Sequence, residues 1–413
     1  MRRSPAFRVP PRCPPFTHAG ATAATALTAT ADPAIVPPMG VRSAVIVGAG
    51  AFGASLAWWL ARAGTDVTLV DQFEPGDPRA TSGGETRLIR SGHGPDPDYT
   101  ASARRARTLW RELEAECAEQ LLVESGLVWF ARREAGWEAV TLATLEAQGI
   151  PCERLAPEAG SSMFPSYSPA GLAFLLHEPE AGVLRAQRAV RALARQAVAH
   201  GAKLIRAGAR PEGAAVRLDD GRVLEADVVV WACGAWLGQL FGELIEIRST
   251  RQELFFFDGG PDWSAATVPA FVEFDQAIYG TRDIDGHGVK AAPDFDGPPL
   301  DPDAELPDTS ERGAALARRF LAQRFPGIAH APLKGSKCCR YELTRDAHFV
   351  AAAHPEHPSV WLLGGGSGHG FKHGPALAEL LAPALAGEAR PPARFGLGVR
   401  GAAIPLRTAG AVL

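Results

Sequence analysis

Long apolar runs, basic clusters and cysteines at metal-binding spacing are all missing from this 413-residue chain. No uninterrupted apolar stretch approaches the roughly 20 residues that cross a bilayer, so no membrane helix is expected. No run of Lys or Arg forms a basic arm, and the net charge of −4 argues against a nucleic-acid partner. The six cysteines are Cys13, Cys117, Cys152, Cys233, Cys338 and Cys339. They show no CxxC or zinc-like spacing, which points to a reducing compartment and a cytoplasmic protein. The acidic, proline-rich stretch 294–308 lacks the spacing of a calcium loop and reads as a solvated loop, so no metal is expected. What remains is an ordinary globular composition, 46% apolar and 21% charged. The length suits two domains, or one large domain with an insertion.

The most informative stretch runs from Ser43 to Asp71. Ala44–Val47 is a short apolar run of the kind that forms a buried parallel strand. Gly48, Gly50 and Gly53 follow in G-x-G-x-x-G spacing, then a helix is expected from about Phe52 to Arg62. Gly64 ends that helix, and Val67–Val70 is a second strand closed by Asp71. One glycine makes the tight turn, one lets backbone approach a pyrophosphate, and one packs helix on strand. The phosphates belong at the helix N-terminus, and Asp71 accepts from a ribose hydroxyl. This is a dinucleotide site, and the motif alone leaves FAD and NAD open.

Residues 1–38, rich in Pro, Ala, Thr and Arg, read as a disordered tail or a misplaced start at Met39, not as a signal. Arg87 and Arg90 lie on a small-residue loop that fits either an anion-wrapping segment or a surface loop with salt-bridged arginines. Helices are expected near 106–117, 140–148, 183–200 and 314–324. A hairpin is expected at 218–223 and a buried strand at Asp227–Trp231. From 251 to 290 the pattern turns to antiparallel strands, Glu253–Phe257, Val268–Phe274 and Ala277–Thr281. Cys233 suits a small buried filler better than a nucleophile. Lys290 beside Gly286 and Gly288 also fits a surface lysine in a turn. Ser359–Leu363 is a strand feeding the glycine loop 364–370, with Pro375 in the first turn of the next helix. That loop is a second place for negative charge. His369 within it fits ligand contact or simple packing.

These segments in order resemble the amine-oxidising flavoproteins of the D-amino-acid-oxidase superfamily, and within it the monomeric sarcosine oxidase group. The resemblance covers roughly residues 41–396. It rests on the glycine fingerprint with Asp71, on Ser82–Arg90, Gly288–Lys290 and Lys337–Tyr341, and on Ser367–Lys372. It implies FAD, held by Gly48, Gly50, Gly53, Asp71, Arg87 and Gly368 and joined through a thioether at Cys339. It further implies that Lys290 serves the oxygen reaction, that Arg90 and Lys372 hold a substrate carboxylate, and that Tyr341 lies by the substrate, while the glycines around His369 favour ligand contact there. Two departures concern the substrate rather than the flavin. Asp294 stands where a histidine is common, and 82–84 lack the usual histidines.

The implied fold is α/β (α+β overall), a Rossmann-like FAD-binding domain with an inserted antiparallel-sheet substrate domain. The FAD-binding part takes 39–124, 181–247 and 345–396, the substrate part 125–180 and 248–344, and 397–413 form a tail. The implied activity is oxidation of a secondary or N-methylated amino acid to an imine, with O2 reduced to H2O2. A dehydrogenase with another acceptor and a non-catalytic flavin-binding protein are the alternatives. Small amines or amino acids and O2 are the expected partners, and oligomeric state stays open. Cys339 is expected as a thiolate favoured by Lys337 and Arg340, with Cys338 facing the other way if the segment is extended.

Overall fold

The computed structural model describes residues 40–398 and 400–401, so the reading of 1–38 as a tail, and most of 397–413, lie outside the described residues. Strand β1 (Ser43–Val47), helix α1 (Ala51–Arg62) and strand β2 (Asp66–Asp71) open the chain as expected. β1 sits between two parallel neighbours, pairing Val45 with Thr68 of β2 and Val45 with Val229 of strand Val228–Trp231. Such a strand is covered on both faces, which is why its sequence is continuously apolar. Ala44 and Ile46 join a core with Leu56, Trp58 and Leu60 of α1, while Val45 and Val47 join Trp231, Leu237 and Phe241 on the opposite face.

The sheet built around β1 has six strands. Its order is Val350–Ala353, Val360–Gly364, Val228–Trp231, β1, β2 and Lys203–Arg206, with only the first antiparallel to its neighbour. Helices Ala186–Ala199 and Gly374–Leu385 flank α1 on one side of it.

A second, eight-stranded sheet is drawn from 127–178 and 247–344. It is antiparallel except where Ala270–Glu273 runs parallel to Leu127–Ala131. Helix Glu311–Arg324, capped by Ser310 Oγ accepting from Gly313 N at 3.0 Å, buries Ala317, Phe320 and Leu321 against Phe255, Phe257 and Phe271.

One expectation needs correction, and one alternative reading falls. The helix expected over 183–200 begins only at Ala186, because Gly182–Arg185 is a strand pairing with Thr86–Ile89. Apolar Val183 and Leu184 fit either element locally, and a partner nearly a hundred residues away decides it. Lys290 is not in a surface turn but in strand Val289–Pro293, 1% exposed. The 218–223 hairpin forms, with Arg217 opposite Val223. Among the described residues no helix is long and apolar enough to cross a membrane.

Candidate active site

Two of the three fingerprint glycines, Gly48 and Gly53, occupy positions that exclude a side chain, while a Cβ at Gly50 would meet only Ser82 Oγ at 3.1 Å. Gly48 has φ +107°, and a Cβ there would stand 2.3 Å from Ala232 O. Gly53 is where helix meets strand, its Cβ position 1.9 Å from Gly48 O. Gly53 therefore packs the turn and does not line the cleft. Gly50 is the N-cap of α1, whose first turn carries no acidic residue and no side-chain cap. The helix thus presents free N–H groups and the positive end of its dipole to the cleft. Asp71 Oδ2 accepts from Ala49 N at 2.6 Å and Oδ1 from Phe73 N at 2.8 Å. Its carboxylate braces the glycine turn as well as lining the cleft, and burial raises its pKa against those bonds.

The cleft runs past Gly50, Asp71, Arg87, Tyr341 and Gly368. Two buried oxygens on its wall, Thr81 Oγ1 and Glu342 Oε2, have no partner of their own. Glu342 Oε1 accepts from Gly366 N at 2.9 Å, and burial pushes its carboxyl up to about 7. A Cβ-free cradle, an open helix N-terminus and unpartnered polar atoms facing one elongated cleft fit a dinucleotide. Sequence reasoning missed Thr81 and Glu342. Glu342 directly follows the Lys337–Tyr341 motif, which was the one available signal.

Cations gather beyond the glycine cradle. Arg87 is held by its own backbone, donating to Thr81 O at 3.1 Å and Gly83 O at 2.6 Å, with its guanidinium 5.7 Å from the Phe371 ring. Lys290 Nζ lies 3.3 Å from Thr86 O and 4.9 Å from the Tyr279 ring centre. Burial, then the charge of Arg87, pushes Lys290 down to about 7. Cys339 and Tyr341 lie on strand Leu333–Thr344 in a small core with Leu254, Phe256 and Ala292. Burial raises the Cys339 thiol, and Arg87 and Lys290 are the leading charges opposing that rise. This corrects the expectation that Lys337 and Arg340 chiefly activate it. Lys337 is paired with the Glu85 carboxylate, and Arg340 donates to the carbonyls of Arg79 and Ala304. Cys338, one residue back on the extended strand, turns to Asp308 O at 3.6 Å. Cys233 donates to Val47 O at 3.4 Å, and burial raises its thiol strongly, in keeping with an inert filler.

A second group holds Arg90, Lys372 and His369. Arg90 is buried, bonded to Gly92 O and set 4.9 Å above the Trp129 ring, which rules out the exposed salt-bridge reading for it. Burial pushes it down to about 10, so it stays a cation at neutral pH, and the charges of Glu178 and Asp294 act on it. Glu178 is fixed by Ser91 N at 2.8 Å and Trp129 Nε1 at 2.7 Å; neither it nor Trp129 was singled out from sequence. Lys372, 3% exposed, donates to His369 O at 2.9 Å. Burial, then Arg90, holds it well below the usual lysine range. His369 stacks on Phe349, and a carbonyl only accepts, so Nε2–H must donate to Ala347 O at 3.0 Å. Nδ1 is left with no partner.

The family pattern described as FAD dependent oxidoreductase, DAO, matches residues 43–384. Monomeric sarcosine oxidase of Bacillus sp. (strain B-0618) is 30% identical over 354 residues, 82% of this chain and 90% of that one. N-methyl-L-tryptophan oxidase of Yersinia pestis (strain Pestoides F) is 25% identical over 350 residues, 82% and 93%. By fold the chain is similar to L-proline dehydrogenase from P. horikoshii, with TM-score 0.73 and 20% identity over 83% of this chain and 92% of that one. It is also similar to fructosyl amine:oxygen oxidoreductase from Aspergillus fumigatus, with TM-score 0.69 and 22% identity over 84% and 87%. The glycine cradle and its cleft thus belong to an FAD-dependent oxidoreductase. The chain is a member of the DAO family, and the monomeric sarcosine oxidases and N-methyl-L-tryptophan oxidases are its relatives there.

Proposed function

We propose that this enzyme oxidises a secondary or N-methylated amino acid, sarcosine-like in its amine, to an imine, with O2 as acceptor and H2O2 as product. The observation that carries the reading is the pair of buried cations, Arg90 and Lys372, from two separate glycine-rich segments and close enough for one charge to act on the other. A planar guanidinium offers a carboxylate two parallel bonds, and a lysine adds a point charge. An arriving carboxylate would favour the charged form of Lys372 that burial now opposes.

The residues divide the remaining work. Gly48, Gly50, Asp71, Arg87 and Gly368 would hold FAD along the cleft, with Thr81 and Glu342 supplying polar contacts and Cys339 a covalent thioether. When bound, FAD supplies the two-electron chemistry, taking the pair from the C–H beside the amine and passing it to oxygen. Tyr341 borders the substrate and orients its amine, and His369 positions Lys372 through its backbone carbonyl. Lys290 places positive charge where oxygen becomes negative. In domain terms, 39–124, 181–247 and 345–396 serve the cofactor, and 125–180 with 248–344 form the substrate side.

An anaerobic screen tests the reading. N-methyl and cyclic amino acids are expected to bleach the bound flavin, and air is expected to restore it with about one H2O2 per substrate. Bleaching without peroxide on re-aeration, but with reduction of an added dye, would instead mark a dehydrogenase; no bleaching by any amino acid would overturn the proposal.

A further inference from the structure

Three histidines from distant positions meet beside the second cation group. His93 comes from the segment before helix Pro97–Cys117, and His369 and His373, four apart, come from the glycine-rich turn that starts helix Gly374–Leu385. One ring nitrogen from each lies within 4.8 Å of those of the other two, and His93 Nε2 is 3.3 Å from His373 Nε2. All three rings are at most 5% exposed.

The outer nitrogens are already engaged. His93 Nδ1 is 2.9 Å from Ser91 O, which only accepts, so that nitrogen carries the proton and Nε2 faces inward with a lone pair. The bond from His369 Nε2–H to Ala347 O leaves Nδ1 as an unprotonated, buried atom without a partner. His93 Nε2, having no proton, accepts from His373 Nε2–H, so His373 Nδ1 accepts from Ser102 Oγ–H at 3.0 Å. A metal ion would take the other His373 tautomer, with Nδ1–H donating to Ser102 Oγ. Carbonyl or hydroxyl partners on the outer nitrogens are the arrangement that orients metal-ligating imidazoles.

We propose that His93 Nε2, His369 Nδ1 and His373 Nε2 form a binding site for a divalent transition-metal ion of the zinc type, with a fourth position open to water or an anion. Tetrahedral zinc with Zn–N bonds of about 2.0–2.1 Å puts its ligand nitrogens roughly 3.4 Å apart. The His93–His373 pair is at that distance already.

The donor set selects among metals. All three donors are imidazole nitrogens with no carboxylate among them, so a hard ion that needs oxygen ligands is disfavoured there. An ion that bonds strongly to imidazole nitrogen is the fit, zinc or copper rather than magnesium or calcium. Cysteine and histidine spacing in the sequence showed no such site, because its members are separated by some 280 residues and only the fold joins them.

The test uses the full chain with its flavin bound, stripped by a chelator and dialysed against Zn2+, with Co2+ as a spectroscopic probe. One Zn2+ per chain is expected, together with the visible ligand-field bands of tetrahedral, nitrogen-ligated Co2+, and excess Mg2+ should not compete. His93→Gln and His373→Gln are each expected to weaken Zn2+ binding roughly tenfold or more. His369→Gln should do the same, and retained yellow flavin in each variant reports the fold. If His369→Gln loses its flavin, the other two variants and the wild-type cobalt spectrum decide. Substoichiometric binding by wild type would overturn the site. So would variants that bind as tightly as wild type, which would place the ion on another pair such as the half-buried His354 and His357.

Discussion

Burial shapes the two residues on which the oxidase reading most depends. Cys339 sits in an apolar pocket that raises its thiol, and the ammonium of Lys290 and the guanidinium of Arg87 oppose that rise. Loss of either cation should therefore slow flavin attachment, since the thiolate is the nucleophile. Acid precipitation of wild type is expected to leave yellow flavin in the pellet. Cys339→Ala should release it to the supernatant, whereas Cys338→Ala, whose thiol faces Asp308, should not. Lys290 carries the second prediction. Lys290→Met is expected to slow flavin reoxidation at least tenfold, on the order of magnitude a fixed charge contributes to a developing anion. Reduction by substrate should change much less, which stopped flow separates. The pH dependence follows from the sign of the shift. A lysine held down to about 7 is charged below that pH and neutral above it. Wild-type reoxidation should fall as pH rises through about 7, and the Met variant should show no such step.

At the level of the element, the β1–α1–β2 unit depends on close backbone approach. Gly48→Ala would place a Cβ 2.3 Å from Ala232 O at φ +107°, a conformation costing about 1–3 kcal/mol for a residue with a side chain even before the clash. The expected result is protein with little bound FAD and a lower melting temperature. Gly335→Ala, where nothing lies within 4 Å of the added methyl, should match wild type in both measurements. The strand Leu333–Thr344 shows a different dependence. Its alternation sends Cys339 and Tyr341 to one side and Cys338 and Arg340 to the other, so a one-residue slip would exchange the two cysteines.

On the scale of the whole molecule, Arg324 ties together segments that are far apart in sequence. It is fully buried, donating to Glu273 Oε2 at 3.1 Å and Ser168 O at 2.6 Å beneath the Phe130 ring. Glu273 also pairs with Arg132, so the helix at 311–324, the strand at 270–273 and the turn at 168–170 share one buried network. Arg324→Met would leave a buried carboxylate short of a partner, and breaking such a pair costs about 3–5 kcal/mol. Chemical denaturation should show that loss, while FAD, bound along the glycine cradle, should remain until the protein unfolds.

The local patterns were legible without a structure. The β1–α1–β2 fingerprint, the capped helix ending at Arg324 and the buried strand Val228–Trp231 each declare themselves within a few residues through periodicity, glycine placement and apolar runs. Ordered motifs also placed Arg90, Lys290, Cys339 and Lys372 among the candidates. Tertiary structure alone decided their surroundings. It turned Val183 and Leu184 from helix to strand, chose a buried strand over the alternative of a surface turn for Lys290, and set Arg87 and Lys290, rather than Lys337 and Arg340, as the leading charges on Cys339. It likewise brought Glu342 and Thr81 to one wall and three histidines to one point. The physical reason is the same in each case. Periodicity and turn chemistry act over a few neighbouring residues, whereas desolvation, charge coupling and ligand convergence depend on atoms that only the folded chain brings within a few ångströms.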